Sequence, residues 1–183
     1  MEAVRELAAG PPATASLCED EVIELYNQLR APLLRYVLAT GLSSDDGEEV
    51  IQETFLALFC HLRGGKPRQN LRAWLFRVAH NLALKQWYKR RNRFTADSID
   101  GAAESHLAPE PNPEEILADR QRRQGLLAVF RALPERERCC LHLRAEGLRY
   151  REIAQILNMS LGAVSVALTR ALAKLARADG GCK

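Results

Sequence analysis

From Lys66 to Arg93 the chain carries nine basic residues, Lys66, Arg68, Arg72, Arg77, Lys85, Lys89, Arg90, Arg91 and Arg93, and no Asp or Glu. Four aromatics, Trp74, Phe76, Trp87 and Tyr88, are interleaved with these charges. Arg and Lys neutralise phosphates, and an exposed ring can stack on an unpaired base for about 1 to 3 kcal/mol. The segment therefore has the chemistry of a nucleic-acid surface, with single-stranded DNA as a candidate ligand. A face that only solvates itself usually mixes signs, whereas this one keeps a single sign over a whole helix and its flanks. Trp74, at its helical spacing, reads as core; Trp87 and Tyr88 stay open between core and stacking roles.

A second constellation runs from Leu148 to Lys174. Ile153, Ala154, Leu157, Met159, Val164 and Leu168 fall where a helix-turn-helix buries its side chains. Ala154 is small where two helices cross, Asn158 tolerates a left-handed turn, and Ser160 can cap the next helix. The second helix would then enter the major groove with its first turns toward base edges. Arg149, Arg151, Arg170 and Lys174 are candidates for phosphate contacts, and Ser160, Leu161, Ser165 and Thr169 for the groove side. The competing reading is an ordinary helical hairpin, against which the agreement of small residue, turn residue and cap in one window weighs.

A third cluster is acidic: Asp45, Asp46, Glu48, Glu49 and Glu53, ending in Gln52-Glu53-Thr54-Phe55. Compensation of a helix dipole accounts for Asp45 and Asp46 but not for Glu53, about two turns in. Nucleic acid should avoid this helix, so its expected partner is a basic protein surface.

These clusters need helices to position them. Val22, Ile23, Leu25, Tyr26, Leu29, Leu33, Leu34 and Val37 recur at helical spacing, with Pro32 expected to kink or divide the helix and Gly41 to close it. Ser43 or Ser44 caps a second helix with Val50, Ile51, Phe55, Leu58, Phe59 and Leu62 on its buried face, ended by Gly64, Gly65 and Pro67. A third starts near Leu71 and carries Trp74, Leu75, Val78, Ala79, Leu82 and Leu84 into the basic end. Residues 94–113 hold Pro109, Pro111 and Pro113, four acidic residues and no Lys or Arg, the composition of a linker. Beyond it, residues 116–133 are helical in pattern, Pro134 starts a helix ending at Gly147, and two shorter helices follow to about Ala178. No segment has the alternation of a strand, which predicts an all-α chain.

The 183 residues, 47% hydrophobic and 27% charged with a net charge of +3, suit one ordinary domain or two small ones. Five cysteines, Cys18, Cys60, Cys139, Cys140 and Cys182, form no C-x-x-C pair and fit reduced thiols in a cytoplasmic protein. Residues 1–16 have no basic start followed by an apolar run, and no stretch has the length and apolarity of a spanning helix, so neither secretion nor membrane insertion is expected. Cys139, Cys140 and His142 do not make a metal site, because adjacent cysteines cannot reproduce a spaced ligand pair. No Gly-rich phosphate loop, Ser/His/Asp set or spaced metal cluster appears, so neither an enzyme nor a cofactor is expected.

Three motifs in order resemble the extracytoplasmic-function branch of the sigma-70 family, over about residues 21–177. Asp46-Gly47-Glu48-Glu49-Val50-Ile51-Gln52-Glu53-Thr54-Phe55-Leu56 is similar to the family's polymerase-binding helix. Leu71-Arg72-Ala73-Trp74-Leu75-Phe76-Arg77-Val78-Ala79-His80-Asn81-Leu82-Ala83 resembles its melting and minus-10 element, and Leu133-Pro134-Glu135-Arg136 with the helix-turn-helix resembles its minus-35 module. The resemblance implies that Asp46, Glu48, Glu49, Gln52, Glu53 and Phe55 grip the clamp helices of the largest subunit of core RNA polymerase. It implies that Asn81, with the loop from Gly64 to Asn70, forms a pocket for an extruded minus-10 base. Arg72, Arg77, Lys85, Trp87, Tyr88, Lys89, Arg90 and Arg91 would hold the adjacent strand and duplex phosphates.

The implied architecture is two small helical domains, region 2 at residues 19–93 and region 4 at residues 114–178, joined by a flexible acidic linker at 94–113, with tails at 1–18 and 179–183. In the family that linker threads near the polymerase active-site cleft; a plain spacer accounts for its composition nearly as well. An anti-sigma protein is a possible further partner. The recognition helix departs from the pattern: Gly162-Ala163-Val164-Ser165-Val166-Ala167 stands where the family often has Gly-Thr-Val-Lys-Ser-Arg, so two cations are missing. Minus-35 binding is then weaker, less salt-sensitive or directed to another sequence, with duplex shape taking a larger share. The competing function is a two-domain helix-turn-helix regulator that binds a promoter without being a polymerase subunit.

Overall fold

The computed structural model describes residues 13–93 and 113–180. It holds seven helices: α1 (Ala13–Ala39), α2 (Ser44–Arg63), α3 (Leu71–Arg93), α4 (Pro113–Ala132), α5 (Glu135–Ala145), α6 (Tyr150–Ile156) and α7 (Leu161–Gly180). Among the described residues there is no strand, as the periodicity predicts. Residues 1–12 and 94–112, which make up most of the tail expected at 1–18 and the linker expected at 94–113, lie outside the described residues, as do Cys182 and the side chains of Arg91 and Arg93.

Helix α1 narrows one expectation: Pro32 lies inside a single helix of 27 residues and does not divide it. A proline in a helix interior costs about 3 kcal/mol through its missing N–H and its ring. Burial on both sides offsets that, since Leu29, Leu33, Tyr36 and Val37 are all at most 2% exposed. The same helix begins at Ala13, ahead of the start that its apolar spacing suggests. It ends at Gly41, whose φ of +98° suits a residue without Cβ.

Ser43 caps α2: its Oγ accepts the Asp46 N–H at 3.3 Å and donates to Asp46 Oδ2 at 2.6 Å. Close packing on α1 depends on Gly47, where a Cβ would stand 3.0 Å from Leu38 Cδ2. Helices α1, α2 and α3 then close around Val50, Ile51, Leu58, Leu75, Phe76 and Ala79, all buried.

In the second group of helices, Pro134 precedes α5 with extended backbone and Gly147 (φ +85°) ends it. Asn158 takes φ +50°, the left-handed turn expected of it, and Ser160 Oγ accepts the Ala163 N–H at 3.1 Å to cap α7. Helices α6 and α7 meet at 102°. Ile153, Ile156, Val164 and Leu168 fill the space between them and α5.

The two groups pack directly on each other and share one continuous core. At its centre Tyr36, fully buried, lies 5.7 Å edge-on from the Phe76 ring and 6.0 Å from the His142 ring, with its Oη 2.8 Å from His80 Nδ1. Arg138 Nε donates to the carbonyl of Ala39 at 2.8 Å, tying α5 to the end of α1. Burial pushes His80 below the usual histidine range; burial also lowers His142, which the Glu146 carboxylate raises and Arg35 lowers further. Both rings are thus more easily protonated in the unfolded chain. Their contribution to stability is complete above about pH 6.5 and is lost as pH falls from there through the folded-state values. Thermal denaturation between pH 8 and 5 should show the midpoint falling below pH 6.5. His142→Phe, which keeps the edge contacts with Tyr36 and Phe130, should flatten that slope; a slope unchanged in this variant and in His80→Gln would contradict the assignment.

Candidate functional site

Helix α2 buries Val50, Ile51, Thr54, Phe55 and Leu58 and turns its acidic residues outward. The six residues expected to meet polymerase do not share one environment. Phe55 is only 6% exposed and packs edge-on against Tyr26 at 4.9 Å, so it anchors α2 on α1. Asp46 pairs with Arg90 at 2.8 Å, and Glu48 with Arg30 at 2.7 Å. The Ser43 hydroxyl first, then Gln86 and Arg90, hold the Asp46 carboxyl below the usual range against a smaller opposing effect of burial. Glu49 accepts from Gln86 at 2.9 Å yet stays exposed, as do Gln52 and Glu53. Leu56, 62% exposed beside Gln52 and Glu53, adds an apolar group that the charge pattern could not single out.

Helix α3 separates its two roles by face. Leu75, Phe76, Ala79 and Ala83 point into the core, and Trp74 meets the His61 ring in a tilted contact, 4.6 Å between ring centres. Arg77, Asn81, Lys85 and Tyr88, spaced by four, four and three residues, form one exposed row along the helix, with Lys89 beside it. Trp87 and Tyr88 are 40% and 57% exposed and meet edge-to-face at 5.3 Å, which decides between core and stacking roles in favour of the surface. Arg91 continues the helix, with its side chain outside the described ones.

Two basic residues of this set are engaged within the protein. Arg90 is held by Asp46, and Arg72 Nη2 donates to the Glu146 carbonyl at 2.6 Å and to its carboxylate at 3.3 Å. Next to Arg72, Asn70 takes φ +55° and donates to Glu152 at 2.7 Å. A cleft of about 400 Å³ lined by Asn70, Arg72, Arg149 and Glu152 lies where the α2–α3 loop meets α6. The loop expected to form the base pocket therefore faces the helix-turn-helix.

On the helix-turn-helix, Arg149, Arg151, Ser160, Leu161, Ser165, Thr169 and Arg170 are exposed. Val164, Ala167, Leu168 and Ala171 are buried beneath them. Among the described residues the guanidinium groups of Arg149, Arg151 and Arg170 form no ion pair, although the Arg149 backbone N–H donates to Glu152 Oε2 at 2.6 Å to cap α6. Lys174 differs: its Nζ lies 2.7 Å from Glu137, itself only 8% exposed, so it ties α7 to α5. Glu137 is a positioning residue without a sequence signal, because the pairing spans two helices.

Among the described residues no three His, Cys, Asp or Glu side chains come together as a metal site. Burial first, and the neighbouring carboxylates Glu135 and Glu137, push the thiols of Cys139 and Cys140 up to about 11, which keeps both protonated and unreactive. No single described helix is long and apolar enough to cross a membrane.

Known proteins share this arrangement. The family model for sigma-70 region 2 matches residues 25–93, and that for sigma-70 region 4 matches residues 123–175. The chain is 34% identical over 132 residues to the ECF RNA polymerase sigma factor SigE of Mycolicibacterium smegmatis, covering 70% of this chain and about half, 51%, of that relative. It is 28% identical to the sigma factor EcfG of Rhodopseudomonas palustris, over 90% of this chain and 85% of the relative. Its fold resembles the sigma factor RpoE of Bartonella quintana, crystallised with the anti-sigma factor NepR, at a TM-score of 0.68 with 21% identity over 87% of this chain and 96% of that one. CnrH, solved with the cytosolic domain of CnrY, superposes at 0.58 with 23% identity over 90% and 93% of the two chains. With both sigma-70 regions present in order, this chain belongs to the extracytoplasmic-function group of the sigma-70 family of RNA polymerase sigma factors.

Proposed function

We propose that the protein acts in the cytoplasm by binding, without catalysis of its own, and directs promoter-specific initiation as a subunit of RNA polymerase. The observation that carries this reading is the opposition of two faces on adjoining helices: the acidic edge of α2 and the basic, aromatic row of α3. In this reading Glu49, Gln52, Glu53 and Leu56 meet the clamp helices of the largest polymerase subunit, while Asp46, Glu48 and Phe55 hold that edge in place. Arg77, Asn81, Lys85, Trp87, Tyr88 and Lys89 take the minus-10 strand, with Arg90 and Arg91 extending the phosphate track. Arg149, Arg151 and Arg170 straddle the minus-35 groove.

The close packing of the two helical groups bears on how DNA gains access. Asn70 and Arg72 reach a minus-10 base and its phosphates only by exchanging Glu152 and Glu146. An exposed ion pair contributes about 1 kcal/mol or less, so several phosphates can displace these partners once polymerase holds the two domains apart. An anti-sigma protein that stabilises the packed arrangement would oppose that step, and the complexes of similar fold with NepR and CnrY support this partner class.

A promoter-binding regulator that works without polymerase is the competing reading, and it leaves the exposed acidic edge of α2, with Glu49, Gln52 and Glu53, without a use. Footprinting distinguishes the two. Protection of a promoter by this protein is expected only after core polymerase is added, extending over both the minus-35 and minus-10 elements. Full protection by the protein alone, unchanged by core, would establish the regulator instead.

A further inference from the structure

Resting on the reading of α6 and α7 as the upstream promoter reader, the exposed face of α7 narrows the kind of base it can read. We propose that α7 reads its promoter element through the C5-methyl groups of thymine packed on Val166 and Leu161, with no base read by a cation or an amide.

Direct readout of a base edge uses a small set of side chains: Arg or Lys for guanine, Asn or Gln for adenine, Asp or Glu for cytosine, and apolar groups for the thymine methyl. From Ser160 to Thr169 the sequence is Ser-Leu-Gly-Ala-Val-Ser-Val-Ala-Leu-Thr, which holds none of the first six types. Two of its three hydroxyls already make one bond each within the helix. Ser160 Oγ accepts the Ala163 N–H at 3.1 Å, and Thr169 Oγ1 donates to the Ser165 carbonyl at 3.0 Å. The hydroxyls, with Ser165 the one that makes no bond in the helix, are polar contacts that any base can satisfy and so discriminate little.

What remains on the outward face is apolar. Val166 is 49% and Leu161 48% exposed, high for aliphatic side chains on a helix whose other face is fully buried by Val164, Leu168 and Ala171. Gly162 lies one turn before Val166 on the same face, and a Cβ there would meet nothing within 4 Å. Its bare backbone lets the helix approach the groove floor closely enough for Val166 to touch a methyl group. Charge supplies the orientation: Arg149, Arg151 and Arg170 are exposed around this face, and no acidic residue occurs from Ile153 to Ala178. The cations position the duplex on its phosphates, and the methyls carry the sequence information.

The test uses holoenzyme assembled from core polymerase and this protein, on the duplex element that it selects from a randomised upstream library. Replacing thymine by deoxyuracil removes only the methyl. Each contacted thymine should then lose about fourfold in affinity, the value of one buried methyl-sized group. Val166→Ala, at an exposed position that the fold does not need, should abolish the uracil effect at one position and leave the others. If every uracil substitution is silent while Arg151→Glu with Arg170→Glu still lowers upstream binding, the methyl readout is overturned and the promoter-reader role of α7 survives. If neither uracil nor these charge reversals change binding, both fall together.

Discussion

Glu53→Arg combined with Glu49→Arg is expected to weaken association with core RNA polymerase by about 2 to 4 kcal/mol, roughly 30- to 1000-fold in Kd, while the protein stays folded. Both carboxylates project from α2 into solvent, and the helix is fastened from its other side by Val50, Ile51, Phe55 and Leu58. Reversal puts two positive charges against a partner surface that the acidic edge is complementary to, so the missing attraction and the new repulsion add. The internal acids serve as the control. Asp46→Asn and Glu48→Gln break the ion pairs with Arg90 and Arg30 and should act on stability by about 1 kcal/mol or less, because these pairs are partly exposed. Titration of fluorescent protein with core polymerase, beside thermal denaturation, separates the effects. Equal loss of polymerase affinity from both pairs of substitutions would mean that the exposed edge has no special part in docking.

The second large effect is expected at the aromatic end of α3. Trp87→Ala and Tyr88→Ala should each cost about 1 to 3 kcal/mol in holoenzyme affinity for a promoter fork with an unpaired non-template strand, and leave fully duplex upstream binding intact. Both rings are exposed at the end of the row that Arg77, Asn81 and Lys85 begin, and neither belongs to the buried core. Charge along the same row reads out separately. Neutralising Arg77, Lys85 and Lys89 should lower the slope of log affinity against log salt by about 0.7 for each single-strand phosphate that is no longer paired with a cation. An unchanged fork affinity in the two ring variants would place the melted strand on another surface.

Local features of this fold are readable in the sequence because each depends on a few neighbouring residues. The Ser43 and Ser160 caps, the left-handed Asn158 and the buried faces of α2 and α7 follow from side-chain chemistry within one or two turns. Pro32 does not divide α1 because the loss of one helical hydrogen bond is local, while the burial of Leu29, Leu33 and Tyr36 that outweighs it comes from α2, α3 and α5. The roles of the charged residues are blurred for the same reason. Arg72, Arg90 and Lys174 read as free cations in the sequence, yet their partners Glu146, Asp46 and Glu137 lie 74, 44 and 37 residues away. Nor does periodicity reveal that Tyr36, a residue of the first helix, is packed against α5 through His142. Chain spacing shows which face of a helix is apolar, and only packing shows which charge on the opposite face has already been claimed.

Run-off transcription with purified core polymerase on a library of promoters randomised at both elements tests the central claim most directly. With this protein added, transcripts should start at a fixed distance from a shared pair of sequence elements, and Glu53→Arg with Glu49→Arg should abolish them. Transcripts without sequence preference, or a preference that the charge reversal leaves untouched, would contradict a promoter-recognition subunit.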